Sequence, residues 1–317
     1  SIHAMCWLPE GEAVGVFQIV HGVAEYIARY DSFARYLAAQ GFVVVGNDHL
    51  GHGQSRKENA QTLYFAEKNG WQCLVDDVYA LRCRTKEQFP TLPYILMGHS
   101  MGSFVTRTYL FCYPGSVDAV ILMGTGQNPA AVVNLGKLMA AAAGCFVGQE
   151  GYSPLVDRLI FGLYNQKFAP TRTDLDWLSA DEANVDCYIA DPLCGEKPSV
   201  NLFREMMGGL RRILRPENLD KMDKDMPVLF IAGQDGDFLA AEETFLDSVE
   251  QEGRSGDEIL EAVCVLAHIY RLKGDLHRFM TYALKGIAMG GCSELCCELG
   301  AYYEAAGDRQ EAAMWYY

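Results

Sequence analysis

Eleven residues, Tyr94-Ile-Leu-Met-Gly-His-Ser-Met-Gly-Ser-Phe104, constrain this chain more than any other stretch. Tyr94 to Gly98 reads as a short buried strand, and Phe104 to Tyr113 as a helix that is apolar on most sides. Between them stands Gly98-His99-Ser100-Met101-Gly102. A strand, a Gly-x-Ser-x-Gly turn and a helix make a nucleophile elbow, in which the serine sits on a sharp, strained turn. Side chains at Gly98 and Gly102 would collide with the neighbouring strand and helix. The turn lifts the Ser100 hydroxyl out of the sheet. It also leaves the backbone N–H of Met101 at a helix N-terminus, where developing negative charge is favoured.

The remaining apolar runs give the elbow a sheet to sit in. Val14–Val20, Phe42–Gly46, Ala119–Gly124 and Pro227–Gly233 read as buried strands. Amphipathic or apolar helical stretches, Ala28–Gln40 and Trp71–Phe89, alternate with them, and Gly41 stands as a helix stop. That alternation implies an α/β fold, a doubly wound and mainly parallel sheet with right-handed crossovers. From about Thr125 to Asn218 the alternation lapses into helical segments, Ala130–Ala143 and Pro154–Tyr164 among them, which read as a helical insertion over the sheet.

Composition narrows the function classes. A net charge of −15 over 317 residues, with no basic patch, argues against nucleic acid and weakly against an anionic membrane surface. Half the residues are hydrophobic, enough for a sizeable core. Ala130 to Val147 is the most apolar long run, but Asn134 and Lys137 interrupt it, so at most a peripheral membrane contact is expected. The eleven cysteines are odd in number and often in apolar contexts, and no secretion leader opens the chain; reduced thiols and a cytoplasmic location are expected.

The C-terminal part has another character. Cys264, Leu266, Tyr270, Gly274 and Asp275 recur as Cys297, Leu299, Tyr303, Gly307 and Asp308, each 33 positions later. Helix, Gly-Asp turn and helix at this period resemble tetratricopeptide repeats. The expected organisation is a domain over 1–238 with its insertion at about 125–218, a linker over 239–256, and an all-α repeat tail over 257–317. The tail is expected to cover the open edge of the sheet.

Several motifs in order carry a family resemblance: His21-Gly-Val-Ala-Glu25, Arg29-Tyr-Asp31, Gly41-Phe42, Asn47-Asp-His-Leu-Gly-His-Gly-Gln-Ser55 and Gly98-His-Ser-Met-Gly102. Together they resemble the monoacylglycerol lipase and lysophospholipase branch of the α/β-hydrolases, often grouped with serine aminopeptidases. Asp176-Trp-Leu-Ser179 and Asp191-Pro-Leu-Cys-Gly195 are similar to the cap of its bacterial members. The resemblance implies an α/β-hydrolase fold with a helical cap, a small-molecule ester or lipid substrate, and hydrolysis without a cofactor or metal. It implies Ser100 as nucleophile, and the backbone N–H groups of Val23 and Met101 as the oxyanion hole. His21 is expected to shape the loop. His49 and His52 are expected to pack, not to bind metal.

Two triad members depart from the family pattern. The acid is expected after the Val228–Gly233 strand, but Gly236 holds its place in Gly233-Gln-Asp-Gly-Asp-Phe238, leaving Asp235 and, one residue to the other side, Asp237. The family histidine has no counterpart after a further strand. His268, in Leu266-Ala-His-Ile-Tyr270, is the one candidate base to test, and it reads more simply as a repeat-helix residue. A serine at its free pKa needs such a base. The alternative to an ester hydrolase is therefore a catalytically impaired scaffold whose repeat tail binds a protein partner.

Overall fold

The apolar runs form one six-stranded sheet in the order β1-β3-β2-β4-β5-β6. The strands are β1 (Ala4–Trp7), β2 (Gly15–Val20), β3 (Phe42–Asn47), β4 (Tyr94–His99), β5 (Ala119–Met123) and β6 (Val228–Ile231). All neighbours are parallel except β1, which runs antiparallel to β3 with Ala4 opposite Asn47. In this computed structural model the described residues are 1–232, apart from 61, 128, 162 and 163, together with Phe279, Ala283, Leu284, Leu299 and Tyr303.

Period-two alternation assigns the two faces. Val16, Val43, Val45, Tyr94, Leu96, Val120 and Leu122 face α2 (Gly70–Gln88) and α3 (Met101–Cys112) in one core. Phe17, Ile19, Val44 and Met97 face α1 (Asp31–Ala39) and Trp7 in the other. Helices on both faces explain why β2 is buried at every residue, which is why it reads as an unbroken apolar run. Gln18 is the polar exception. Its amide donates to the Val78 carbonyl at 3.0 Å, and it accepts from the Tyr94 hydroxyl.

Two local expectations shift. The helix expected over Ala28–Gln40 is a 3₁₀ turn, Ile27–Tyr30, followed by α1. Trp7 Nε1 donates to Asp31 Oδ1 at 2.8 Å, which ties the first α1 residue to the edge strand. Gly41 ends this helix at φ 94°, a conformation that suits glycine. β1 was not legible in the sequence, because only Trp7 of its four residues is buried and no alternation results.

Between β5 and β6 the chain is helical, as the lapse in strand pattern implies. It holds α4 (Ala130–Val147), α5 (Pro154–Phe161), α6 (Glu182–Ala190), α7 (Val200–Ile213) and the short α8 (Pro216–Leu219). α7 buries Leu202, Phe203, Met206 and Leu210 in the core shared with α2 and α3. α4 packs along α7 through Val133 and Ala140 but leaves Leu135, Leu138 and Phe146 exposed, Phe146 at 90%. The interruption of this run by Asn134 and Lys137 does not break the helix. By length and composition α4 alone, among the described residues, could cross a membrane.

The chain divides into two compact units, Ser1–Ile231 and Ala232–Tyr317. Among the described residues of the second, Phe279, Ala283, Leu284, Leu299 and Tyr303 are helical, with Phe279, Ala283 and Leu299 buried. The expected linker, the repeats and the covering of the sheet edge by the tail lie outside the described residues.

Candidate active site

The elbow closes where β4 meets α3. Ser100 caps α3 with φ 50° and ψ −119°, backbone angles that cost a non-glycine residue ~1–3 kcal/mol. Its N–H donates to the Met123 carbonyl at 2.9 Å, and its own carbonyl accepts the Ser103 N–H at 2.9 Å and the Ser103 hydroxyl at 2.6 Å. These bonds hold the strained residue from the β5 side and the helix side. A Cβ on Gly98 would stand 2.4 Å from Thr106 Oγ1, and one on Gly102 2.0 Å from the Val20 carbonyl oxygen. Helix α3 can lie this close to β4 only with glycine at 98, and this close to β2 only with glycine at 102.

The loop after β2 lies against the serine. A Cβ on Gly22 would stand 3.2 Å from Ser100 Cβ and 3.4 Å from His99 Nδ1. Val23 follows at once, half-buried, and Met101 is the first residue of α3. The structure therefore brings Ser100 together with both segments expected to supply oxyanion donors.

Beneath the loop three histidines are buried together. His21 and His49 have ring centroids 4.1 Å apart, and His52 lies 5.5 Å from His21. His21 Nδ1 contacts the Gly22 carbonyl at 2.7 Å, and His21 Nε2 accepts the His49 N–H at 3.0 Å. That assigns the proton of a neutral ring to Nδ1. His49 Nε2 donates to the His21 carbonyl and His52 Nδ1 to the Leu50 carbonyl, each at 3.0 Å. Burial pushes His49 down to about 3 and His52 to about 4, and burial and its two histidine neighbours hold His21 well below 6.5. All three are neutral at physiological pH and brace the loop through backbone carbonyls. Among the described residues His49 Nδ1 and His52 Nε2 have no hydrogen-bond partner, and no three His, Cys, Asp or Glu side chains are grouped so as to hold a metal.

Glu25 is the residue whose role the sequence did not give. It is buried, and its Oε1 accepts the Gly22 N–H at 2.6 Å, the Tyr30 hydroxyl at 2.9 Å and His99 Nδ1 at 3.0 Å. Its Oε2 accepts from Arg29 at 3.0 Å. Burial pushes this carboxyl up, but the His99 bond and charge, the Gly22 N–H and Arg29 outweigh it and hold Glu25 below its ordinary 4.5. The signal was present as the acid of His21-Gly-Val-Ala-Glu25, within a short reach of Arg29 and Tyr30. The contact to His99 is formed only in the fold.

The acid candidates Asp235 and Asp237 and the candidate base His268 lie outside the described residues. The other described histidine, His3, contacts Asp48 at 3.0 Å at the far end of the same loop network and not Ser100.

Residues 11–257 match the family described as Serine aminopeptidase, S33, a range that takes in most of the chain and all of the elbow and the loop after β2. The chain belongs to this family. Among curated proteins, this S33 chain is 29% identical to a monoacylglycerol lipase of Mycolicibacterium smegmatis over 206 residues, 64% of this chain and 64% of that protein. It is 28% identical to the monoglyceride lipase of Mus musculus over 212 residues, 66% of this chain and 62% of that one. The chain thus spans under two thirds of the length of these relatives. Among solved structures it is similar to a carboxyl esterase from Bacillus coagulans in complex with glycerol, with TM-score 0.61, 24% identity, and 72% and 73% of the two chains covered. A soluble variant of monoglyceride lipase from Saccharomyces cerevisiae gives TM-score 0.59 at 19% identity, covering 78% of each. The structural likeness shows a common fold, an S33 sheet with helices, consistent with the α/β-hydrolases.

Proposed function

We propose that this S33-family chain is a serine hydrolase of carboxylic esters that acts on monoacylglycerol- or lysophospholipid-like substrates. The observation that carries the reading is Ser100 at φ 50° with the Gly22 backbone packed against its Cβ. A serine held in this strained conformation, at a helix N-terminus and beside a second backbone segment, suits attack on a carbonyl whose oxygen needs two N–H donors. The named relatives support the lipid-ester class, and the exposed apolar residues of α4 support an apolar substrate.

In this mechanism the Ser100 hydroxyl loses its proton to a base as Oγ bonds to the ester carbon. The carbonyl oxygen becomes an oxyanion held by the N–H groups of Val23 and Met101, each worth ~3 kcal/mol of transition-state stabilisation. The alcohol leaves with the proton, and water then releases the acid from Ser100. The acid candidates in the sequence are Asp235 and Asp237, and the base is unassigned, with His268 the histidine to test. The S33 insertion serves as a cap over the substrate.

For residues 257–317 we propose helical repeats of tetratricopeptide type and a protein partner. The recurrence at 33 residues and the helical Leu299 and Tyr303 support this.

The test is labelling by a fluorophosphonate probe together with hydrolysis of p-nitrophenyl esters and monoacylglycerol. Labelling and turnover that vanish in Ser100→Ala are the expected result. Absence of both in the wild-type chain, at a probe level that saturates an active S33 esterase, would leave the impaired scaffold as the reading.

A further inference from the structure

The loop that packs against Ser100 is held by two sets of bonds. Glu25 holds it at Gly22. The insertion between β5 and β6 grips it at residues far away in sequence. The Tyr188 hydroxyl, near the end of α6, donates to the Ala24 carbonyl at 2.7 Å. The Gly195 N–H donates to the same carbonyl at 3.0 Å. The Tyr26 hydroxyl donates to Asp191 Oδ2 at 2.7 Å. The turn that presents these groups is itself closed by Asp191, whose Oδ1 accepts the Leu193 N–H at 2.9 Å and whose carbonyl accepts the Cys194 N–H at 3.0 Å.

The gripped residue is not a relaxed one. Ala24 has φ 56°, a left-handed conformation that costs a residue with a Cβ ~1–2 kcal/mol. Two donors on its carbonyl offset that cost and fix the direction of the peptide. Arg29 joins the two grips, because its guanidinium lies 4.8 Å over the Tyr188 ring while it donates to Glu25. Val23 lies between two held points, the Gly22 N–H bonded to Glu25 and the Ala24 carbonyl, so the setting of its own N–H depends on both. Oxyanion donors act over a narrow range, ~2.7–3.1 Å from the oxyanion. A loop free to relax Ala24 toward an ordinary backbone conformation would turn the Val23 N–H away.

We propose that Tyr188, Asp191 and Gly195 of the insertion are positioning residues for the oxyanion hole, so that the hole is complete only while the insertion is seated on Ala24 and Tyr26. The inference rests on the reading of the Val23 N–H as an oxyanion donor. It makes the insertion part of the catalytic apparatus and not only a cover over the substrate.

The experiment compares wild type, Tyr188→Phe and Tyr26→Phe in the full chain. One readout is kcat and KM on a short soluble ester, p-nitrophenyl butyrate. The other is amide hydrogen exchange over residues 21–27, with residues 98–104 as the internal control. Tyr188→Phe is expected to lower kcat about tenfold, less than the roughly 10²–10³ lost when a donor is removed outright, with KM little changed. Exchange should rise in 21–27 and stay level in 98–104. Tyr26→Phe, which leaves both bonds to Ala24 in place, should act in the same direction but more weakly. It decides the matter if Tyr188→Phe fails to fold. Unchanged kcat with unchanged exchange in 21–27 overturns the inference. A loss of stability with exchange raised equally in both segments also overturns it, as a merely structural effect. If the wild-type chain turns over no ester, the proposed function fails separately, and local exchange in 21–27 alone decides whether the insertion holds the loop.

Discussion

Glu25 Oε1 stands 3.0 Å from His99 Nδ1, so a carboxylate from the loop after β2 is bonded to the residue immediately before Ser100. The same oxygen accepts the Gly22 N–H at 2.6 Å. One buried side chain therefore sets the spacing between the loop and the elbow, and a change there should reach both.

Glu25→Gln keeps the shape but replaces an ionised acceptor with an amide that must turn a donor toward one of its partners. Stability is expected to fall by about 2 kcal/mol, as for other buried charge-assisted bonds, and kcat by about tenfold. Urea unfolding and steady-state kinetics check both. The pH dependence has a definite sign. The folded carboxyl lies below its ordinary 4.5, so its stabilisation is complete above that value and is lost as pH falls through the folded one. The stability gap between wild type and Glu25→Gln should close on acidification below 4.5. A gap that persists there would contradict the assignment.

His52 acts in the same sense, through a proton that the unfolded chain binds more readily. Its folded value is about 4 against an ordinary 6.5, so below 6.5 the unfolded chain takes up a proton that the folded chain refuses. Stability should decline from 6.5 down to about 4, by at most about 3 kcal/mol from this residue. In His52→Gln that part of the slope should flatten. The check is unfolding free energy measured at closely spaced pH values in both proteins.

Ser100→Gly relieves φ 50° and should raise stability by ~1 kcal/mol while abolishing hydrolysis. Ser100→Ala should be equally inactive without that gain, since alanine keeps a Cβ. Thermal midpoints of the three proteins test this. Equal midpoints would mean that the elbow is not strained in solution.

Gly102→Ala places a Cβ 2.0 Å from the Val20 carbonyl oxygen, a backbone atom that cannot swing aside. The expected cost is ~3 kcal/mol or more, with loss of probe labelling at Ser100 because β2 and α3 must separate. Circular dichroism melts and labelling yield measure the two effects.

Much of the fold and the centre of the site were legible from the chain alone, for local reasons. Buried parallel strands are apolar at nearly every position, so β2, β3, β4 and β5 read directly. The elbow is five residues long, and its glycines answer steric contacts within one turn. β1 escaped because only its last residue meets the core. The role of Glu25 escaped because its meaning depends on His99, 74 positions away. The bonds from Tyr188 and Gly195 to Ala24 span still longer separations and leave no periodic trace.

The sequence by itself determined the succession of β2 to β5 with the helices between them, the strained serine and the loop expected to serve it, because each follows from short-range sterics and from periodicity. Only the tertiary structure decided that the insertion and Glu25 both hold that loop. Those bonds join backbone carbonyls and side chains that meet only when the sheet, α6 and the loop are packed together, and no local rule encodes which distant donor a carbonyl will find.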